Sequence, residues 1–141
     1  MPVNVDLPLP VNIPVSYVPD RDTRLRLYRR IADLTTIPEI EALGDEFTDR
    51  FGVVPPELEN LLNQLKVKIL AEKTDIASVS VENNQVVLRY PPLPEGVNSR
   101  DIPYMGPEAR TGKNAIWISG AGLEGWIERL MEILERLAQG K

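Results

Sequence analysis

The hydrophobic period of the chain changes between Leu70 and Ala77, and that change separates a run of helices from a run of strands. Before it, apolar residues recur every three to four positions, the spacing of one face of an α-helix. After it they recur every second position, the spacing of one face of a β-strand. Leu27, Tyr28, Ile31 and Leu34 predict a helix over about 22–34. Asp20 or Asp22, just after Pro19, is placed to accept backbone amide protons at its start. Thr36-Ile37-Pro38-Glu39 has the hydroxyl and the carboxylate of a capping box, three residues apart. Ile40, Leu43, Phe47 and Phe51 continue it as a second helix, which Gly52 stops in a left-handed turn. Pro55 and Pro56 open a third helix with a broad apolar face from Leu58 through Leu61, Leu62 and Leu65 to Ile69 and Leu70.

Beyond the change, Ala77, Val79 and Val81 alternate with polar residues, and Val86, Leu88 and Tyr90 continue after Asn83-Asn84. Asparagine tolerates positive φ, so this pair predicts a tight hairpin turn. Residues 91–112 are rich in Pro and Gly and read as a long loop. Ala115-Ile116-Trp117-Ile118 predicts a third strand. A last helix over about 123–138 buries Trp126, Ile127, Leu130, Leu134 and Leu137, with Glu132 and Arg136 paired on its wet side. Trp117 and Trp126 both fall in apolar patterns and are expected in the core. About three helices, then a small antiparallel sheet with a β-hairpin and a C-terminal helix, make an α+β fold.

The first 19 residues carry five prolines, at 2, 8, 10, 14 and 19, which exclude a helix and a central strand. They read as an extended lead-in that is either a plain linker or a segment whose apolar residues, among them Val3, Val5, Leu7, Ile13 and Val15, lie against a surface. Residues 20–141 then form a single α+β domain. The length of 141 residues suits one domain with a substantial core.

Composition narrows the chemistry. At 43% hydrophobic and 26% charged residues, the chain is globular in type. No apolar run reaches the roughly 18–20 residues of a membrane span, and no stretch reads as a signal peptide. The net charge of −5 is opposite to the basic footprint of a general nucleic-acid binder. There is no Cys and no His. Disulfides, thiolate nucleophiles, Ser-His-Asp catalysis and the commonest zinc, copper and haem ligands are thereby excluded.

What remains is carboxylates and arginines. Gly106…Gly112-Lys113-Asn114 falls short of a phosphate loop: the upstream glycine is one residue too far away, and Asn114 stands where a hydroxyl would hold magnesium. Glu39, Glu41, Asp45, Glu46 and Asp49 crowd the second helix, with Glu46 and Asp49 three apart on one face. Nothing in the sequence signals the cleft that a catalytic pair needs, nor the Gly-turned oxygen ligands of a metal loop. The acidic face is either solvated or protein-binding. Arg21, Arg24, Arg26, Arg29 and Arg30 crowd the first helix. They either reach nucleic-acid phosphates or pair with the acidic helix beside them. The nucleic-acid alternative is an accessory module of a helicase or translocase using this Arg-rich helix.

The ordered string Ile13-Pro14, Tyr17-Val18-Pro19-Asp20, Arg24-Leu25, Leu27-Tyr28-Arg29-Arg30-Ile31-Ala32, Glu46-Phe47, Asp49-Arg50-Phe51-Gly52 and Pro55 closely resembles one family. It is that of the C-terminal TRCF domain of bacterial transcription-repair coupling factors (Mfd). The resemblance covers roughly residues 6–75, and beyond about 76 it is of pattern only. It implies a non-catalytic, cytoplasmic regulatory domain without cofactor or metal, at the end of an ATP-dependent DNA translocase. That parent displaces stalled RNA polymerase and recruits the excision-repair protein UvrA. By the same resemblance, the domain packs on the parent's N-terminal UvrB-like module and masks the UvrA-binding surface. The lead-in 1–19 is the link from the motor, and no direct nucleic-acid or membrane contact is implied. Glu46 and Asp49 carry over as the protein-binding residues, pairing with basic groups that UvrA otherwise uses.

Overall fold

The computed structural model describes residues 2–140. In chain order the elements are β1 (Asn4–Asp6), α1 (Arg21–Ala32), α2 (Ile37–Phe51), α3 (Pro56–Glu72), β2 (Ser78–Glu82), β3 (Gln85–Arg89), β4 (Ala109–Thr111), β5 (Ala115–Ser119) and α4 (Trp126–Gln139). The arrangement is α+β. Two compact units emerge: a helical one, Leu9–Ile69, and a sheet unit made of the residues up to Pro8 together with those from Leu70 onward.

In the helical unit the ends of the helices follow the local chemistry of the sequence. The Asp20 carboxylate accepts from the Thr23 amide at 2.9 Å and from its hydroxyl at 2.6 Å, capping α1. At α2 the Glu39 amide donates to Thr36 Oγ1 at 3.3 Å. The Glu39 carboxylate reaches back to the hydroxyl of Thr36 and to the amide and hydroxyl of Thr35. Gly52 closes α2 at φ 95° and ψ −164°, a conformation that residues with a Cβ avoid. Leu27, Ile31, Ile40, Leu43, Phe47 and Leu58 form the buried centre of this unit. The lead-in joins it: Ile13 and Val18 are buried in the same cluster. Tyr17 stacks at a tilt on Phe47 and Phe51, and its hydroxyl is shared between the carbonyls of Phe47 (2.9 Å) and Gly52 (2.7 Å). The Ile13 amide donates to the Tyr28 hydroxyl at 2.7 Å.

The sheet unit has five strands in the order β1-β2-β3-β5-β4. Three pairings are antiparallel, but β1 joins β2 in parallel, with Asn4 opposite Ser78, so the sheet is mixed rather than wholly antiparallel. The proline-rich start tolerates this because β1 is an edge strand, paired on one side only. Asn83 and Asn84 turn the β2–β3 hairpin at φ 51° and 62°, the two positive angles that a type I′ turn requires. Register places Val79, Leu88 and Ile116 side by side on one face, with Val81, Val86 and Ile118 in the next row. The stripe Ile127, Leu130, Ile133, Leu134 and Leu137 of α4 is likewise buried.

Trp117 belongs to the opposite face, in line with Ser80, Val87 and Arg110. It is half-buried instead of filling the core, and the Arg110 guanidinium lies 4.3 Å above its ring. Gly112 leaves room for the ring, since a Cβ there would fall 2.8 Å from its Cζ3. Trp126 is also half-buried, at the first turn of α4. Two further differences concern the irregular part. Residues 91–112 are not all loop, because Ala109–Thr111 forms the edge strand β4. Arg136 donates to the Tyr104 carbonyl at 2.9 Å, anchoring that segment, where the helical spacing predicts a pair with Glu132. Among the described residues no helix is long and apolar enough to cross a membrane.

Candidate protein-binding site

The five carboxylates of α2 do not form one patch. Successive residues turn by about 100° around the axis, and Ile40, Leu43 and Phe47 take the buried side. Glu39 is consumed by the capping box, whose hydrogen bonds, first from the Thr36 hydroxyl and then from Thr35, lower its pKa. Glu46 lies on the flank toward α1. Glu41 and Asp45 lie on the opposite flank, beside α3. Asp49 sits on the exposed crest between them.

Glu46 is held by two arginines. Arg30 of α1 donates to both of its oxygens, at 2.6 and 2.9 Å, the fork geometry that suits guanidinium to carboxylate. Arg50, one turn further along α2, donates at 3.1 Å and also rests 4.8 Å above the Phe51 ring. These hydrogen bonds, first from Arg30 and then from Arg50, hold the Glu46 carboxyl down at about 2, against an ordinary value of 4.5. The same contact raises the pKa of Arg30. A lowered carboxyl pKa means that the link contributes fully above pH 4.5 and is lost as the pH falls through about 2. Carboxyl-carbon NMR of Glu46 is therefore expected to show a midpoint near 2, moving upward in an Arg30→Gln variant. A midpoint near 4.5 in the unaltered chain would show that the clamp is not populated in solution.

Asp49 differs from its neighbour: it is exposed and makes no ion pair among the described residues. The two residues singled out by the sequence thus occupy adjacent positions in different states, one clamped and one open. Arg50 is the member of this group that the acidic pattern alone did not single out, although its spacing of four from Glu46 is the signal for it.

The arginine-rich helix is largely engaged. Arg24 donates at 2.9 Å to the carbonyls of both Val18 and Pro19, holding the lead-in against α1. Arg26 reaches the Thr23 hydroxyl at 3.3 Å, and Arg30 is taken by Glu46. Arg21 and Arg29 remain exposed. Among the described residues no group of three or more Asp, Glu, His or Cys side chains is placed to hold a metal ion.

Comparison with known proteins concerns the chain as a whole. The family model described as the TRCF domain matches residues 7–97. The transcription-repair-coupling factor of Rickettsia prowazekii is 41% identical over 87 residues, which is 62% of this chain and 8% of that protein. That of Escherichia coli is 33% identical over 86 residues, 61% of this chain and 8% of that protein. That of Mycobacterium tuberculosis is 30% identical over 99 residues, 70% of this chain and 8% of that protein. The chain thus spans a small part of the length of these relatives. A crystal structure of the C-terminal domain of transcription-repair coupling factor superimposes with a TM-score of 0.73 at 18% identity, covering 99% of this chain and 97% of that one. The shared fold therefore extends through residues 98–140, past the end of the sequence match. On these grounds the chain belongs to the TRCF domain family.

Proposed function

We propose that the chain is the non-catalytic regulatory domain of a cytoplasmic transcription-repair coupling factor, and that it docks on the UvrB-like N-terminal module of its parent. There it covers the surface that binds UvrA. The parent in this reading is an ATP-dependent DNA translocase acting on stalled RNA polymerase, and the lead-in 1–19 is the link to its motor. The observation that carries the proposal is the pairing of an open carboxylate, Asp49, with a clamped one, Glu46, on one exposed helix. Asp49 is free to receive a basic group, while Glu46 keeps the helix fixed beside α1 and offers an oxygen edge already oriented by two arginines. Three of the five α1 arginines are occupied within the domain, so a nucleic-acid role for that helix would rest on Arg21 and Arg29.

The energetics suit a reversible latch. Exposed ion pairs contribute about 0–1 kcal/mol each, and tethering within one chain supplies the effective concentration that such weak contacts need. Reversing both charges, Glu46→Arg with Asp49→Arg, in the full-length factor is expected to raise UvrA binding by up to about thirtyfold, the limit set by loss of two such pairs. Asp49→Arg alone carries the cleaner part of the test, because an arginine at 46 would also face Arg30 and Arg50 and loosen α1 from α2. UvrA binding unchanged in both variants would overturn the assignment of these residues.

A further inference from the structure

The flank of α2 opposite the Glu46 clamp borders a trough that the latch does not use. Its walls are two helical stripes, each with the spacing i, i+3, i+4, i+7: Glu41, Gly44, Asp45 and Thr48 on α2, and Glu59, Leu62, Asn63 and Lys66 on α3. Its volume is about 480 Å³. The floor is apolar, formed by Ile40 and Leu62, which are 1% and 7% exposed. Gly44 leaves the middle open: a Cβ there would meet only a Leu62 methyl at 3.9 Å. At one end Val53 stands 89% exposed with no apolar neighbour covering it. Along the rim run three carboxylates, Glu41, Asp45 and Glu59, against the single cation Lys66, and none of the three makes an ion pair among the described residues.

A groove between two packed helices fits the ridge of a third, with apolar anchors one turn apart and charges along both sides. The rim excludes an acidic partner and favours a basic one. We propose that this α2–α3 trough is a second docking surface, taking an amphipathic helix of a partner protein that carries Lys or Arg on both sides of an apolar seam. It is independent of the latch reading, since it uses neither Glu46 nor Asp49.

The test is an NMR titration of the isotope-labelled chain with three synthetic helical peptides sharing one leucine–alanine seam, flanked by lysine, glutamine or glutamate. The lysine peptide is expected to shift the resonances of Ile40, Gly44, Thr48, Val53 and Leu62, and to bind at least tenfold more tightly than the glutamate peptide. Gly44→Leu fills the trough and should abolish the shifts. The double variant Glu41→Lys with Asp45→Lys, at exposed positions that folding does not need, should invert the preference toward the glutamate peptide. Equal binding of all three peptides, shifts centred on the Arg21–Arg30 helix instead, or full binding by Gly44→Leu would overturn the proposal. So would concentration-dependent shifts at the trough without peptide, which would assign it to a second copy of this chain.

Discussion

Replacing Phe47 with alanine is expected to cost the helical unit about 3–5 kcal/mol. Phe47 is 1% exposed and sits at the meeting point of α2 with the lead-in. Its ring lies 6.4 Å from those of both Tyr17 and Phe51, and its own carbonyl accepts the Tyr17 hydroxyl at 2.9 Å. Truncation removes the ring that Tyr17 leans on and leaves a void in the packed cluster, which relaxes only partly to fill it. Urea denaturation followed by circular dichroism reads the loss directly, and Phe47→Leu should recover most of it because volume is nearly kept. A loss below about 1 kcal/mol for the alanine variant would mean that the aromatic cluster relaxes freely, contrary to the close packing of interiors.

In the sheet unit the corresponding result is expected at Leu88. It is fully buried within β3, the central strand of the sheet, with Val79 opposite it on β2 and Ile116 opposite it on β5. A cavity at that point is shared by three strands, so Leu88→Ala should cost about 2–5 kcal/mol and speed amide exchange in β3 and β5 together. The next residue supplies the contrast. Arg89 is exposed, and its ion pair with Glu82, 2.5 Å long, lies at the surface. Exposed pairs contribute about 0–1 kcal/mol, so Arg89→Ala should change stability by no more than that. Equal losses at 88 and 89 would show that the apolar face assigned by the register is wrong.

The long helices and the hairpin were legible because their signals are local. Period, the Thr36–Glu39 box, Gly52 and the Asn83-Asn84 pair each act within a few residues, and α1, α2, α3, β2 and β3 follow them closely. The edge strands were not. In residues 1–7 the apolar alternation of Val3, Val5 and Leu7 is a strand signal, but the prolines around it speak against a strand, and only pairing with distant Ser78 decides between them. Ala109–Thr111 is three residues long and becomes a strand only because β5 lies beside it. Trp117 shows the limit of an apolar pattern: alternation places it on a face but does not tell which face is covered. At the acidic helix, sequence spacing put Glu46 and Asp49 close together, whereas the clamp depended on Arg30, sixteen positions from Glu46 on another helix.

The pairing of Asn4 with Ser78 also bears on the order in which the molecule assembles. Between those partners the chain makes α1, α2 and α3, and the turn-to-turn contacts within a helix are local and form early. The first strand emerges before any of them and has no neighbour in its sheet until β2 is made. Closing so long a loop carries an entropic cost that grows with its length, but a prefolded helical insert shortens the effective separation of the ends. The segment at the amino end can therefore join the sheet only once β2 has been made, its three-residue strand then holding one edge by parallel pairing between the buried Val3 and Leu7.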